Sequence, residues 1–201
     1  GIAMNVSKTF SEPGRLHATY NFDLLEWSGL TVSELKEAIS NAIEVFNGSG
    51  RLCFAFSNHD VPRSATRQLE PLEISLGQQD NLQLLLLQLE TSLIGSTCIY
   101  QGEELGLCDV TDIPVKKMKD PWGINFHPEF LGRDTCRTPM VWNKKHSMGG
   151  FTSGNQSWLP IAEPHLEKAA LEMAINTKSV YSKFSKFLKW RKKQPAMMHA
   201  N

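Results

Sequence analysis

Apolar residues recur along this chain with two alternating periods. Around His17 to Asp23, Tyr20 and Phe22 stand two apart, which predicts a short strand. The spacing then changes. Leu35, Ala38, Ile39, Ala42, Ile43 and Phe46 share one helical face, Thr31 can cap that helix, and Glu34 completes a capping box. The turn formers Asn47, Gly48, Ser49 and Gly50 end it. Residues 51–56 form a second strand, almost wholly apolar, as suits a parallel strand covered on both faces. Asp80 opens a second long helix through Leu93, and Ser96 to Tyr100 reads as a third strand. A last clear helix covers Ser179 to Lys193, with Val180, Phe184, Phe187, Leu188 and Trp190 on its apolar side. Strand followed by helix, three times over, predicts an α/β fold around a parallel sheet.

Between Leu105 and Glu163 the periodicity fades, and glycine, proline and tryptophan are frequent. A loop of that length in a compact domain is usually functional or mobile. Three strand–helix units are too few for a closed eight-stranded barrel, which takes about 250 residues. With 201 residues, 41% of them hydrophobic, the chain can bury a sizeable core, which excludes global disorder. Its 21 basic and 21 acidic residues cancel, which argues against a dedicated nucleic-acid or anionic-membrane binder. The four cysteines (Cys53, Cys98, Cys108, Cys136) show no metal-ligand spacing and read as unpaired thiols of a cytoplasmic chain. No basic-then-apolar leader opens the sequence. Gln83, Gln88 and Glu90 break its richest apolar stretch, so no bilayer span is expected there.

Three segments carry candidate chemistry. Phe56-Ser-Asn-His-Asp-Val-Pro-Arg63 follows the second strand, at the sheet edge where α/β enzymes keep their sites. His59 and Asp60 can offer a donor and an anionic acceptor to neighbouring sugar hydroxyls; a capped turn accounts for the same triplet. Gly95 to Gly106 places Gln101, Glu103 and Glu104 after the third strand, where bracing the loop is the favoured role for the two carboxylates. In Gly132-Arg-Asp-Thr-Cys-Arg-Thr-Pro-Met-Val-Trp142, Arg133 can anchor a ligand, whereas Arg137 is expected to brace the loop.

Taken together these segments resemble the α-amylase superfamily, glycoside hydrolase family 13, in its bacterial α-glucosidase and oligo-1,6-glucosidase branch. Residues 56–63 look like that family's seventh-strand signature, and residues 95–106 are similar to its eighth-strand pattern. Gly132 to Trp142 is similar to the glucosidase branch, with Thr135 where glycine or asparagine is commoner. Tyr20 to Leu25 resembles the sixth-strand segment. Gly150 to Thr152 and Trp158 to Pro160 resemble the approach to the last barrel helix.

The resemblance implies the C-terminal part of a (β/α)8 TIM barrel, an incomplete barrel holding strands 6 to 8 with their helices. It implies one partial catalytic domain over residues 1–201, with a long active-site loop after the eighth strand at about 105–165. Asp60 matches the carboxylate that stabilises the transition state. His59 matches a histidine that donates to the same sugar, and Arg133 an arginine that closes the pocket by pairing with an aspartate. Arg63 is a weaker substrate-binding candidate near the leaving group. The implied activity is retaining hydrolysis of α-glucosidic bonds at the non-reducing end of short gluco-oligosaccharides.

That chemistry needs two carboxyl groups about 5–5.5 Å apart. In the family they lie on the fourth strand, in a G-x-R-x-D motif, and on the fifth. The motif is absent here, as is the calcium-type loop of the first half, so no cofactor or metal is expected in this chain. By itself it is expected to be inactive, with a missing N-terminal barrel half as its natural partner. Its cut sheet is expected to expose apolar inner faces around Phe22, Phe54 and Ile99. A non-catalytic glucosidase-like scaffold of the transporter heavy-chain type, and transglucosidases or sucrose- and trehalose-converting enzymes, are the alternatives.

Overall fold

The computed structural model describes residues 2–47 and 51–198. The first half comprises α1 (Ile2–Phe10), β1 (Thr19–Tyr20), α2 (Val32–Phe46), β2 (Leu52–Phe54), α3 (Ser64–Arg67) and α4 (Gln79–Ser92). The second half comprises β3 (Ser96–Thr97), α5 (Pro121–Phe126), α6 (Glu163–Glu167), α7 (Ala170–Ile175), α8 (Val180–Arg191) and α9 (Pro195–Met198). The three strands form one parallel sheet in the order β1-β2-β3. An α/β fold around a parallel sheet is what the periodicity predicts.

The strands are shorter than their sequence patterns. Among the described residues β1 and β3 each pair on one side only, so hydrogen bonds to β2 alone define them. The ladder still runs on: the Asn21 amide donates to Cys53 O (2.9 Å) and the Cys98 amide to Phe54 O (2.8 Å). Side chains alternate across the sheet. Leu52 and Phe54 are buried among Leu35, Ala38, Ala42, Leu82 and Leu86 of α2 and α4. Tyr20 and Cys53 are register partners on the opposite face, and there the Tyr20 hydroxyl lies 3.0 Å from Cys98 Sγ.

This pattern corrects one expectation. Phe54 is fully covered because it points at the helices and Ile99 is half-buried against Leu87, Val180 and Phe184, while Phe22 is 59% exposed as expected.

The capping box of α2 forms as its sequence predicts. The Glu34 amide donates to Thr31 Oγ1 (3.3 Å), and the Thr31 amide donates to the Glu34 carboxylate (2.8 Å). Such caps are typically worth about 1 kcal/mol. Thr31→Ala is therefore expected to lower the urea midpoint modestly and Thr31→Ser to leave it in place. Gly48, Ser49 and Gly50, expected to end this helix, lie outside the described residues.

The aperiodic stretch is better built than its sequence pattern. Leu105, Leu107, Met140, Val141 and Ala169 form one small core beneath it, and Val110, Ile113 and Met118 another. Within it Asp120 caps α5 and Pro121 takes the first turn, where its missing N–H costs nothing. α8 closes the fold by packing Val180 and Phe184 on Leu87 of α4.

Candidate active site

The segment after β2 is shaped from both sides. Asn58 Oδ1 accepts the Asp60 amide at 2.7 Å, a side-chain-braced turn that aims His59 and Asp60 away from the sheet. Behind it the buried Glu103 carboxylate accepts from the hydroxyls of Ser57 (2.6 Å) and Ser64 (2.8 Å) and from the Tyr100 amide (3.0 Å). This joins the ends of β2 and β3 to the start of α3. Asn58, His59 and Asp60 thus lie at the C-terminal edge of the sheet, with Tyr100 and Gln101 beyond the neighbouring strand, where sequence reasoning places them.

Asp60 is the centre of a charged cluster. Its Oδ1 accepts from Arg137 Nη2 (2.8 Å) and Arg133 Nη1 (3.1 Å), while Oδ2 lies 3.4 Å from His59 Nε2. Side-chain exposures of 49% for Asp60 and 68% for His59 leave both open to a ligand. Arg137 Nε also donates to His59 O at 2.5 Å. Sequence reasoning cast Arg137 as a brace; the structure makes it a brace and a partner of Asp60 alike. Its position four residues after Arg133 carries no local signal for that second contact.

Arg133 is itself held. Asp120, whose side chain is fully buried, accepts Arg133 Nη2 on Oδ1 (2.8 Å) and Arg133 Nε (3.1 Å) and amide (2.7 Å) on Oδ2. These bonds hold the Asp120 carboxyl at about 2, below its ordinary range. Asp134 Oδ2 accepts the Asp120 amide (2.9 Å), and the Trp122 ring lies 4.8 Å beneath the Arg133 guanidinium. Gly132, at φ 68°, is required here, because a Cβ would stand 2.8 Å from Asp120 Oδ2.

Arg63 lies elsewhere than a leaving-group contact needs. It is fully buried, donating to Gln101 O (2.5 Å) and Cys136 O (3.1 Å), and its guanidinium sits 4.9 Å over the Tyr100 ring. It joins the end of β3 to the long loop. Another internal post is His165, whose Nε2 lies 2.8 Å from Cys108 O; burial pushes this imidazole down to about 4, so it is neutral. All four cysteines are free thiols. Among the described residues no group of three or more His, Cys, Asp or Glu could hold a metal ion, and no helix is long and apolar enough to cross a membrane.

An acceptor and a donor side by side at the C-terminal edge of a parallel sheet, backed by arginines, form the kind of small-molecule site that α/β proteins build. Comparison with known proteins gives the class a family. The family described as alpha amylase, catalytic domain, matches residues 9–200, and the chain belongs to it.

A probable alpha-glucosidase of Rhizobium meliloti (strain 1021) is 38% identical over 183 residues, covering 91% of this chain and 32% of that protein. An oligo-1,6-glucosidase of Parageobacillus thermoglucosidasius is 26% identical over 198 residues, covering 89% and 33%. The crystal structure of an alpha-glucosyl transfer enzyme, XgtA, superposes with a TM-score of 0.82 at 36% identity, covering 96% of this chain and 34% of its own. A trehalose-6-phosphate hydrolase of Bacillus licheniformis, 23% identical with a TM-score of 0.79, shares the fold. The chain spans about a third of the length of the curated relatives it matches.

Proposed function

We propose that this chain is the sugar-holding part of a retaining α-glucosidase, carrying barrel strands six to eight, and that it grips the non-reducing-end glucose of a short α-linked oligosaccharide. The observation that carries the reading is Asp60 at the sheet's C-terminal edge, with Arg133 and Arg137 on one oxygen and His59 beside the other. Asp60 Oδ2 and His59 Nε2 then meet adjacent hydroxyls of one glucose ring. The Asp60 charge also stabilises the positive charge that develops at the anomeric carbon as the bond breaks. Arg137 fixes both partners, through Asp60 Oδ1 and His59 O. Arg63, buried among carbonyls, serves this site by holding the strand ends together.

The nucleophile and the acid/base come, in this reading, from family segments that this sequence does not include. Glu103 is buried and its carboxylate is held by Ser57, Ser64 and the Tyr100 amide, so it supplies neither. Glucosyl transfer to a second sugar is the other reading, supported by the 36% identity to an alpha-glucosyl transfer enzyme. The four free thiols support a reducing compartment, the cytoplasm.

Two measurements test the proposal. Amide and side-chain NMR of the chain titrated with methyl α-D-glucopyranoside should move the His59, Asp60 and Arg137 signals at millimolar sugar. Asp60→Asn should abolish the response, and methyl β-D-galactopyranoside should not elicit it. Hydrolysis of an aryl α-glucoside by the chain alone should be immeasurable. Turnover by the chain alone that disappears in Asp60→Ala would sink the assignment, because the reacting carboxylates would then lie within these 201 residues.

A further inference from the structure

A guanidinium can meet both oxygens of a carboxylate at once through either of two edges, Nε with Nη2 or Nη1 with Nη2, and Nη2 is common to both. In Arg133 the Nε–Nη2 edge belongs to Asp120: Nη2 reaches Oδ1 at 2.8 Å and Nε reaches Oδ2 at 3.1 Å. Only Nη1 extends to Asp60, and it touches one oxygen, Oδ1, at 3.1 Å. Asp60 Oδ2 is thereby left to face His59.

The seat is built for this division. The Asp120 side chain is fully buried, its amide is tied to Asp134 (2.9 Å), and the Arg133 amide adds a third bond to Oδ2 at 2.7 Å. Trp122 supports the guanidinium from one face, and Gly132 admits the close approach of the two loop segments.

We propose that Asp120 is a positioning residue of the sugar site: by holding Nε and Nη2, the nitrogen common to both two-pronged edges of Arg133, it leaves Nη1 alone for Asp60, keeps that arginine from closing over both Asp60 oxygens, and so keeps Oδ2 available to a glucose hydroxyl. The inference rests on the reading of Asp60 as a glucose-holding carboxylate. Without the Asp120 charge, Arg133 is free to turn its fork to Asp60. The pairing it would form is the stronger one for an exposed carboxylate, and it competes with the sugar.

The test is a double-variant cycle on the full chain, with methyl α-D-glucopyranoside affinity read by NMR. Asp120→Asn is expected to weaken binding roughly tenfold. Adding Arg133→Ala to Asp120→Asn should restore most of the loss, since the competing fork is gone. In parallel the Arg133 Nε–H signal should shift in Asp120→Asn, reporting its change of partner.

A merely structural Asp120 predicts the opposite, a double variant that binds no better than Asp120→Asn, and that result would overturn the inference. So would unchanged affinity in Asp120→Asn. If Asp120→Asn does not fold, Asp120→Glu keeps the charge on a longer stem. Intermediate affinity, again restored by Arg133→Ala, is then expected, and no restoration overturns the inference. Failure of the underlying reading looks different: the wild-type chain and Asp60→Asn would respond to the sugar alike.

Discussion

Arg67→Ala is expected to remove about 4 kcal/mol of folding stability. Arg67 is 7% exposed, and its guanidinium donates to three main-chain carbonyls: Pro62 O (2.8 Å), Leu24 O (2.8 Å) and Phe56 O (2.5 Å). Those carbonyls belong to the chain leaving β1, the end of β2 and the turn before α3, which one planar group therefore ties together. Truncation leaves buried acceptors without donors, each costing about 1–3 kcal/mol, with less than full additivity. The loss is a large fraction of the 5–15 kcal/mol typical of a whole domain. Arg67→Lys keeps the charge but not the fork, and should recover only a minor part. Urea denaturation followed by circular dichroism measures both. An unchanged midpoint in Arg67→Ala would show that the carbonyls find other donors.

Glu90→Gln is expected to stabilise the protein at pH 8 by on the order of 5 kcal/mol. Glu90 sits 1% exposed on α4, with the Phe56 amide donating to its carboxyl and Oε1 without a hydrogen-bond partner. Burial, aided by the charge of Glu103, pushes this carboxyl up to about 10, so it is protonated in the fold. Unfolded, it titrates near the ordinary glutamate value of about 4.3. Between those values the folded state holds the extra proton, and stability falls as pH rises, by about 1.4 kcal/mol per unit.

His165 acts in the opposite direction. Its folded value is about 4 against an ordinary 6.5, so the unfolded state holds the extra proton in that interval and stability is lost as pH falls through it. The two effects nearly cancel between pH 4.5 and 6.5, and above 6.5 only the Glu90 decline of the two continues. Melting temperatures of the chain and of Glu90→Gln from pH 5 to pH 9 check this. The curves should lie within a few degrees of each other at pH 5 and separate by roughly 10 °C or more at pH 8. Parallel curves would mean that Glu90 is ionised in the fold.

What the sequence determined by itself is whatever rests on near neighbours. The cap of α2 lies three residues from its partner and formed as read; the apolar face of that helix formed at Leu35, Ala38, Ile39, Ala42 and Phe46, while Ile43 faces out at 39% exposed. The placing of Asn58, His59 and Asp60 at the sheet edge follows from their coming directly after a buried strand. The family was legible because several short motifs stand in order, and the match over residues 9–200 shows it.

Only the tertiary structure decided what the long polar side chains do. Arg63, Arg133 and Arg137 stand within two short segments of similar chemistry. Yet one is buried under the strand ends, one is divided between Asp120 and Asp60, and one joins Asp60 to His59 O. Asp120 and Glu90 gave no pattern at all, since an isolated carboxylate reads the same whether it will clamp an arginine or lie protonated in a core. The physical reason is reach. A guanidinium or carboxylate on a flexible stem bonds whatever the fold brings near it, and Asp60 and its arginines are separated by more than seventy residues of chain, the 73 to Arg133 and 77 to Arg137. Periodicity records which face of an element is buried. It does not record which distant groups meet at its end.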